Sequence, residues 1–396
     1  MINESGDTPL LGEDRTRPDK DATPPNGGKS LSPQRLLAGQ CRGDGGASLA
    51  ERRKNLQGFA GSSGTNPAQP VAKTFSAKEE AGGALRVAVC VCTCLRPKML
   101  ERCLQSLDEQ RVPPDVQLSI IVIDNDPAGN AQNVVTDHMR AALVCVRYVH
   151  EPRRGIAIAR NAALDAAIET GADWIAFIDD DEWAEPDWIA ALMAPEYRNT
   201  PILLGAIIHE SPNTVPFWLT GRRHAGGVKG IEGELRKTGT TGNVRLSAEL
   251  IRAGFRFDEG LGFMGGEDNE MFTRARKAGF EICRTLKAIV TEAAHPERAT
   301  YMAQMYRAYW CAASDMRRTA IDKGWPGAIL RKGHTVPLNI VFGVLEIASS
   351  PLCSTFGVDA FKRRALAGGK KIAKGFGRAI AILGLMPQPY RVIVGH

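Results

Sequence analysis

The chain has 396 residues, of which 43% are hydrophobic and 24% charged, which is enough for one large globular domain or two ordinary ones with tails. Its net charge of +6 is local: from Arg331 onward ten Lys and Arg stand against Glu346 and Asp359, a surplus of +8 that leaves −2 elsewhere. Basicity confined to the C-terminal part argues against a nucleic-acid-binding catalytic face and for an anionic partner such as a phospholipid surface.

Residues 1–84 are dense in Gly, Pro, Ser and charge and nearly lack periodic aliphatic runs, so they are expected to be disordered. MINESGDTPLLGEDRTRP has no basic region followed by an apolar stretch; no secretory signal is read, and a cytoplasmic protein is expected. Nine scattered cysteines suit a reducing compartment. Cys90, Cys92 and Cys94 alternate along one strand and read as small buried residues rather than zinc ligands.

From Arg86 the pattern changes. RVAVCVCTCL is a continuous apolar run of strand type, followed by Arg96-Pro97 and a helix through Leu100, Leu104 and Leu107. A second strand, Leu118–Ile123, ends in the turn-forming run Asp124 to Gly129. A third apolar stretch covers Leu143–Val149; an alanine-rich helix, Ile156–Glu169, then leads to the strand Trp174–Ile178, which runs straight into Asp179, Asp180 and Asp181. Buried strands alternating with helices predict an α/β fold with a mostly parallel, Rossmann-like sheet flanked by helices. Ligands of such sheets sit beyond the carboxyl ends of the strands, so Thr93 to Arg96, Asp124 to Asp126 and Asp179 to Asp181 should converge on one crevice.

Farther along come a strand at Ile202–Ile208, a Gly-rich and basic stretch at 221–239 that reads as a mobile loop, a helix from Ser247, and a helix opening after Gly265-Gly266-Glu267-Asp268. Beyond Ala299 the chain is predicted helical over Tyr301–Lys323. VPLNIVFGVLEIASSPL, at 336–352, is marginal for a membrane span, and the basic helix after it suits an anionic leaflet. A soluble helix packed on the domain is the competing reading. The expected organisation is therefore 1–84 disordered, 85–300 catalytic, and 301–396 a helical, basic, membrane-associated extension.

Three adjacent carboxylates at the end of a buried strand repel one another, and a bound cation commonly offsets that cost. Oxygen ligands select a hard divalent ion, Mn2+ or Mg2+, whose open positions would accept a diphosphate. Glu267-Asp268, after two glycines and at a helix N-terminus, is suited to accept a proton from a hydroxyl, or simply to cap the helix. A diphosphate-binding metal site and a separate base define a transfer in which a hydroxyl attacks carbon while a diphosphate leaves.

The segment Val87 to Asp268 resembles family 2 glycosyltransferases of the GT-A fold, through VCVCTCLRP, IIVIDND, GIAIARNAALDAA, AFIDDDEWAEPDWI and GGEDNEMFTRARKAGF in that order. The resemblance implies a nucleotide-sugar donor with Thr93 and Asp124 at the base, Arg96 in the first loop, and Arg153 or Arg160 near the diphosphate. It also implies Asp179 and Asp180 at the ribose or sugar, Asp181 on the metal, and Asp268 with Glu267 as the catalytic acidic motif, in an inverting displacement. His295, in EAAHPER, sits where some relatives supply another metal ligand; a satisfied polar histidine is the alternative. The first loop departs from the family pattern, with Leu95 where an asparagine or aspartate usually precedes the arginine. Within the family, EAAHPERAT and the basic, apolar tail look most like succinoglycan-type exopolysaccharide glucosyltransferases, which implies a lipid-linked saccharide acceptor at the inner face of the membrane. A nucleotidyltransferase and a non-catalytic scaffold on the same fold are the rival readings; the first lacks its Gly-rich phosphate loop after strand one.

Overall fold

RVAVCVCT, apolar at nearly every position, forms strand β1 (Leu85–Thr93) at the centre of the sheet, where both faces are covered. The structure is a computed structural model that describes residues 83–210, 228, 230–293, 295–389 and 391. The expectation for residues 1–84 falls almost wholly outside the described residues, and that for the 221–239 loop falls outside them in part.

Helix α1 (Pro97–Asp108) starts on its proline and buries Leu100, Leu104 and Leu107 against one sheet face. Then follow β2 (Val116–Asp124), α2 (Gln132–Ala141), β3 (Cys145–His150), α3 (Ile156–Glu169) and β4 (Trp174–Asp179). Strands β3, β2, β1 and β4 lie side by side and parallel, with Thr93 opposite Asp124 and Cys92 opposite Asp179. The alanines of α3 let it lie close on the other face, beside Ile121, Ile123, Ile175 and Phe177.

Past β4 the sheet becomes mixed. The remaining elements are β5 (Glu182–Ala184), α4 (Trp188–Leu192), β6 (Ile202–His209), β7 (Asn243–Ser247), α5 (Ala248–Arg252), α6 (Glu267–Lys277) and β8 (Ile282–Glu292). The full order is β3-β2-β1-β4-β7-β6-β8-β5, eight strands. β7 runs antiparallel to both β4 and β6, while β8 is parallel to β6. The mixed α/β sheet with flanking helices is the GT-A architecture expected above.

The C-terminal region is helical: α7 (Tyr301–Lys332), α8 (Thr335–Ser349) and α9 (Val358–Ile382). α9 packs between the other two helices. A Cβ at Gly343 or Gly368 would meet the opposite backbone at 2.7 or 2.6 Å, so α8 and α9 touch main chain to main chain. α7 and α9 share a small core of Ala313, Met316, Ala320 and Ala381.

Candidate active site

Parallel pairing brings the polar ends of β1, β2 and β4 to one edge, and side-chain bonds tie them together. Thr93 Oγ1 donates to Asp180 Oδ2 at 2.8 Å. Arg96 Nη1 bridges Asp180 Oδ1 at 3.0 Å and Asp181 Oδ2 at 3.2 Å. Leu95, just before it, has φ 58°, the left-handed region that asparagine and aspartate tolerate better than leucine. The departure noted in the sequence therefore falls on a backbone conformation that suits the residue types it replaces.

Asp124 is fully buried and organises its own loop. Its carboxylate accepts from the N–H groups of Asp126 at 3.1 Å and Ala131 at 2.8 Å, and from the Tyr148 hydroxyl at 3.0 Å. Asn125, which sequence reasoning did not single out, donates to the carbonyls of Glu151 and Arg153 and accepts from Gly155 N–H, joining the β2 loop to the start of α3. Arg153 stands apart from the aspartates, paired with Glu151 through bonds of 2.9 and 2.8 Å.

At the end of β4 the carboxylates are crowded. Burial, then the repulsion of Asp181, Asp180 and Glu292, pushes Asp179 up to about 7 against the pull of Arg160. Burial and Asp181 raise Asp180 to about 6 although Arg96 opposes them. Glu182, buried and accepting from Asp179 N–H at 3.2 Å, is held well above the usual carboxylate range by burial and by Asp179. Gly242 closes this side: a Cβ there would meet Glu182 Oε1 at 2.8 Å.

Asp181 behaves oppositely. Burial would raise its pKa, but the hydrogen bond to His295 and the charges of Arg96 and Arg298 bring it below the ordinary value. His295 Nε2 lies 2.8 Å from Asp181 Oδ2, and its Nδ1 faces Glu297 Oε1 at 3.0 Å. Glu292, the last residue of β8, completes the group: ligand atoms of Asp181, Glu292 and His295 all lie within 4.8 Å of one another. His209, at the end of β6, meets Glu292 Oε2 at 2.6 Å, and Arg298 reaches Glu292 at 3.4 Å and Asp181 at 3.6 Å. Two carboxylates and an imidazole are a donor set that could hold a divalent cation, and the nitrogen suits Mn2+ better than Mg2+, which prefers oxygen throughout. Glu292, His209 and Arg298 were missed in the sequence; the one available signal was that Glu292 and Arg298 are the first and last residues of EAAHPER, and nothing local marked His209.

The second acidic motif is joined to the first by a single side chain. Arg160, on α3 and 7% exposed, pairs with Glu267 and also approaches Asp179 Oδ1 at 3.6 Å. Burial would lower the Arg160 pKa, yet the charges of Glu267, Asp179 and Asp268 raise it overall, so the guanidinium stays charged. Glu267 has its own pKa raised, by burial first, and its Oε2 has no hydrogen-bond partner among the described residues. Gly265 and Gly266, at φ 75° and 91°, turn the chain into α6 and place Glu267 and Asp268 on its first turn. Asp268, partly exposed, accepts from Asn269 N–H at 2.6 Å.

Comparison of the sequence gives the class of protein: the Glycosyl transferase family 2 model matches residues 88–256. The chain is 36% identical over 221 residues to the succinoglycan biosynthesis protein ExoM of Rhizobium meliloti, covering 54% of this chain and 69% of that protein. The chain belongs to glycosyltransferase family 2 and is a glycosyltransferase with a relative in exopolysaccharide biosynthesis. A shorter similarity, 26% identity over 105 residues, covers 26% of this chain and 28% of the putative glycosyltransferase EpsH of Bacillus subtilis. Among solved structures, S. aureus TarS 1-349 superposes with a TM-score of 0.44 at 15% identity, covering 76% of this chain and 92% of that one. Family membership sets aside the nucleotidyltransferase and the non-catalytic scaffold.

Proposed function

We propose that this glycosyltransferase moves a hexose from a UDP-sugar to a hydroxyl of a lipid-linked saccharide in exopolysaccharide or other cell-surface glycan synthesis, inverting the anomeric carbon. The observation that carries the reading is Arg160, which ties Asp179 at the end of β4 to Glu267, the neighbour of Asp268. A donor at the β4 end and a base at the α6 end thereby face one reaction centre.

Asp181, Glu292 and His295 would hold Mn2+ or, with weaker preference, Mg2+. Bound there, the cation would neutralise charge on the departing diphosphate. Thr93 and Asp124 define the nucleoside side, Asp124 through the loop it holds. Asp179 and Asp180 line the donor side. Arg96 and Arg298, now on the carboxylates, are cations within reach of phosphate oxygens. Arg153, bound to Glu151, has the weaker claim to the diphosphate, and Arg160 fixes the acidic motif instead. Asp268 takes the acceptor hydroxyl proton as the oxygen bonds to the anomeric carbon, and the electron pair of the breaking C–O bond leaves with UDP. One displacement inverts the centre. Catalysis then rests on orientation and on charge placed where it develops. The enzyme works in the cytoplasm, peripheral on the inner face of the membrane, with no nucleic-acid partner.

Purified protein incubated with Mn2+ and a panel of nucleotide sugars tests this through UDP release. Asp268→Asn should lower turnover by about 10²–10⁴-fold while donor binding persists, and Asp181→Ala should abolish the metal response. No turnover of any sugar nucleotide, or full activity in Asp268→Asn, would sink the reading.

A further inference from the structure

A cleft of about 410 Å³ lies between α6 and α7, away from the aspartates. α7 breaks at Gly324, φ 70°, two residues before Pro326, and folds back on itself. Lys332 Nζ thus reaches Asp315 Oδ2 at 2.6 Å. The two residues are 17 apart, which in straight helix would be about 25 Å. The reversal sets Arg318, Lys323, Arg331 and Lys332 opposite Arg274 and Lys277 of α6. Two carboxylates also line the cleft, and both are engaged: Glu270 by Arg274 through two 2.8 Å bonds, Asp322 by Lys277. Asp315 steadies Arg318 and Lys332. Lys323 and Arg331 make no ion pair among the described residues and share only the charge of Asp322, which Lys277 already holds, so the cleft keeps a positive surplus.

Arg331 and Lys332 lead directly into α8. Its face away from α9 exposes Leu338, Val341, Phe342 and Leu345 by 47 to 56%. The stretch Thr335–Phe356, with mean hydropathy 1.5, has only 11% of its most apolar window buried. An apolar helix left open to this degree is more fitted to lipid than to water. α8 has 15 residues, about 22 Å of helix against a hydrocarbon core of about 30 Å, which suits lying along the surface rather than crossing it. An unpaired basic cleft continuous with an exposed apolar helix matches one chemistry: an amphiphile with a phosphate head.

We propose that the α6–α7 cleft is a phosphate site that takes the anionic headgroup of a bilayer lipid while α8 lies in the interface beside it. This deepens the membrane-surface part of the proposed function. α6 carries Lys277 at the cleft and Asp268 at its first turn, so headgroup capture would hold the acidic motif within about 14 Å of helix from the anchoring lysine.

Flotation of the full chain with phosphatidylcholine vesicles, with and without phosphatidylglycerol, tests it. Wild type should prefer the anionic vesicles. Lys323→Gln/Arg331→Gln should weaken that binding about thirtyfold, because each basic residue near an anionic surface contributes about 1 kcal/mol. Lys237→Gln/Arg276→Gln, which removes the same charge outside the cleft, should leave it nearly unchanged. Leu338→Ser/Leu345→Ser should weaken binding to both kinds of vesicle. UDP release by the Lys323→Gln/Arg331→Gln variant in solution should match wild type, which shows an intact fold and separates this proposal from the catalytic one. Equal loss from both charge pairs, or indifference to phosphatidylglycerol, would overturn it.

Discussion

Replacing Arg160 by glutamine would isolate the work of the buried pair. Arg160 and Glu267 are 7% and 4% exposed, and Glu267 Oε2 has no hydrogen-bond partner among the described residues. Without the guanidinium the Glu267 carboxylate has no opposing charge in a desolvated setting, and breaking a buried pair in this way costs about 3–5 kcal/mol. Protonation offers Glu267 an escape. Burial already holds its pKa up, and the loss of Arg160 raises it further. Its folded-state pKa then lies well above the unfolded value of about 4.3, so the variant's stability falls as pH rises between the two, by about 1.4 kcal/mol per unit. Urea unfolding should therefore show the full loss near about pH 8 and a loss smaller by at least about 1 kcal/mol near about pH 5. Arg160→Met/Glu267→Leu should recover much of the stability, since a well-packed apolar pair replaces buried ions at little cost. It should not recover activity. A loss below about 1 kcal/mol, or one equal at both pH values, would refute the account of a desolvated, mutually dependent pair.

Three further outcomes follow from the same geometry. Asp179 and Asp180, raised to about 7 and about 6, bind protons that the unfolded chain releases, so the metal-free protein should lose stability as pH rises through that range. The thermal shift produced by Mn2+ should accordingly be larger near about pH 8 than near about pH 5.5, and an equal shift would contradict this. His209→Gln removes the partner that orients Glu292 from 2.6 Å and should weaken Mn2+ binding about 10–100-fold in a direct titration; unchanged affinity would remove Glu292 from the ligand set. Leu95→Asn relieves a left-handed residue that is 36% exposed and should stabilise the fold by about 1 kcal/mol, read as a higher Tm, whereas a lower Tm would mean that the leucine side chain contributes more than its backbone costs.

The elements with strong local signals could be read directly from the sequence. β1, β2 and β4 are runs of apolar residues that no solvent-facing strand would carry, and each leads into polar residues at its carboxyl end, so Thr93, Asp124 and Asp179 to Asp181 could be assigned to one edge without coordinates. α3, rich in alanine, and α6, preceded by two glycines, were equally plain. β7 and β8 were not. NVRLS is short and carries Arg245, which is wholly buried because its guanidinium donates to three backbone carbonyls, and ICRTLKAIVTE interleaves charge with apolar residues at a less protected part of the sheet. Such strands are defined by their neighbours rather than by their own composition. The resemblance already set His295 beside Asp181 as a candidate ligand, but only the tertiary structure could add Glu292 and His209 to them, or unite Asp179 with Glu267 through Arg160: each joins segments far apart in the chain, and no local periodicity encodes a distance across a sheet. Sequence alone determined which polar residues stand at the strand ends. The packing of β6, β8, α3 and α6 decided which of them meet: Asp181 with Glu292 and His295, and Asp179 with Glu267 through Arg160.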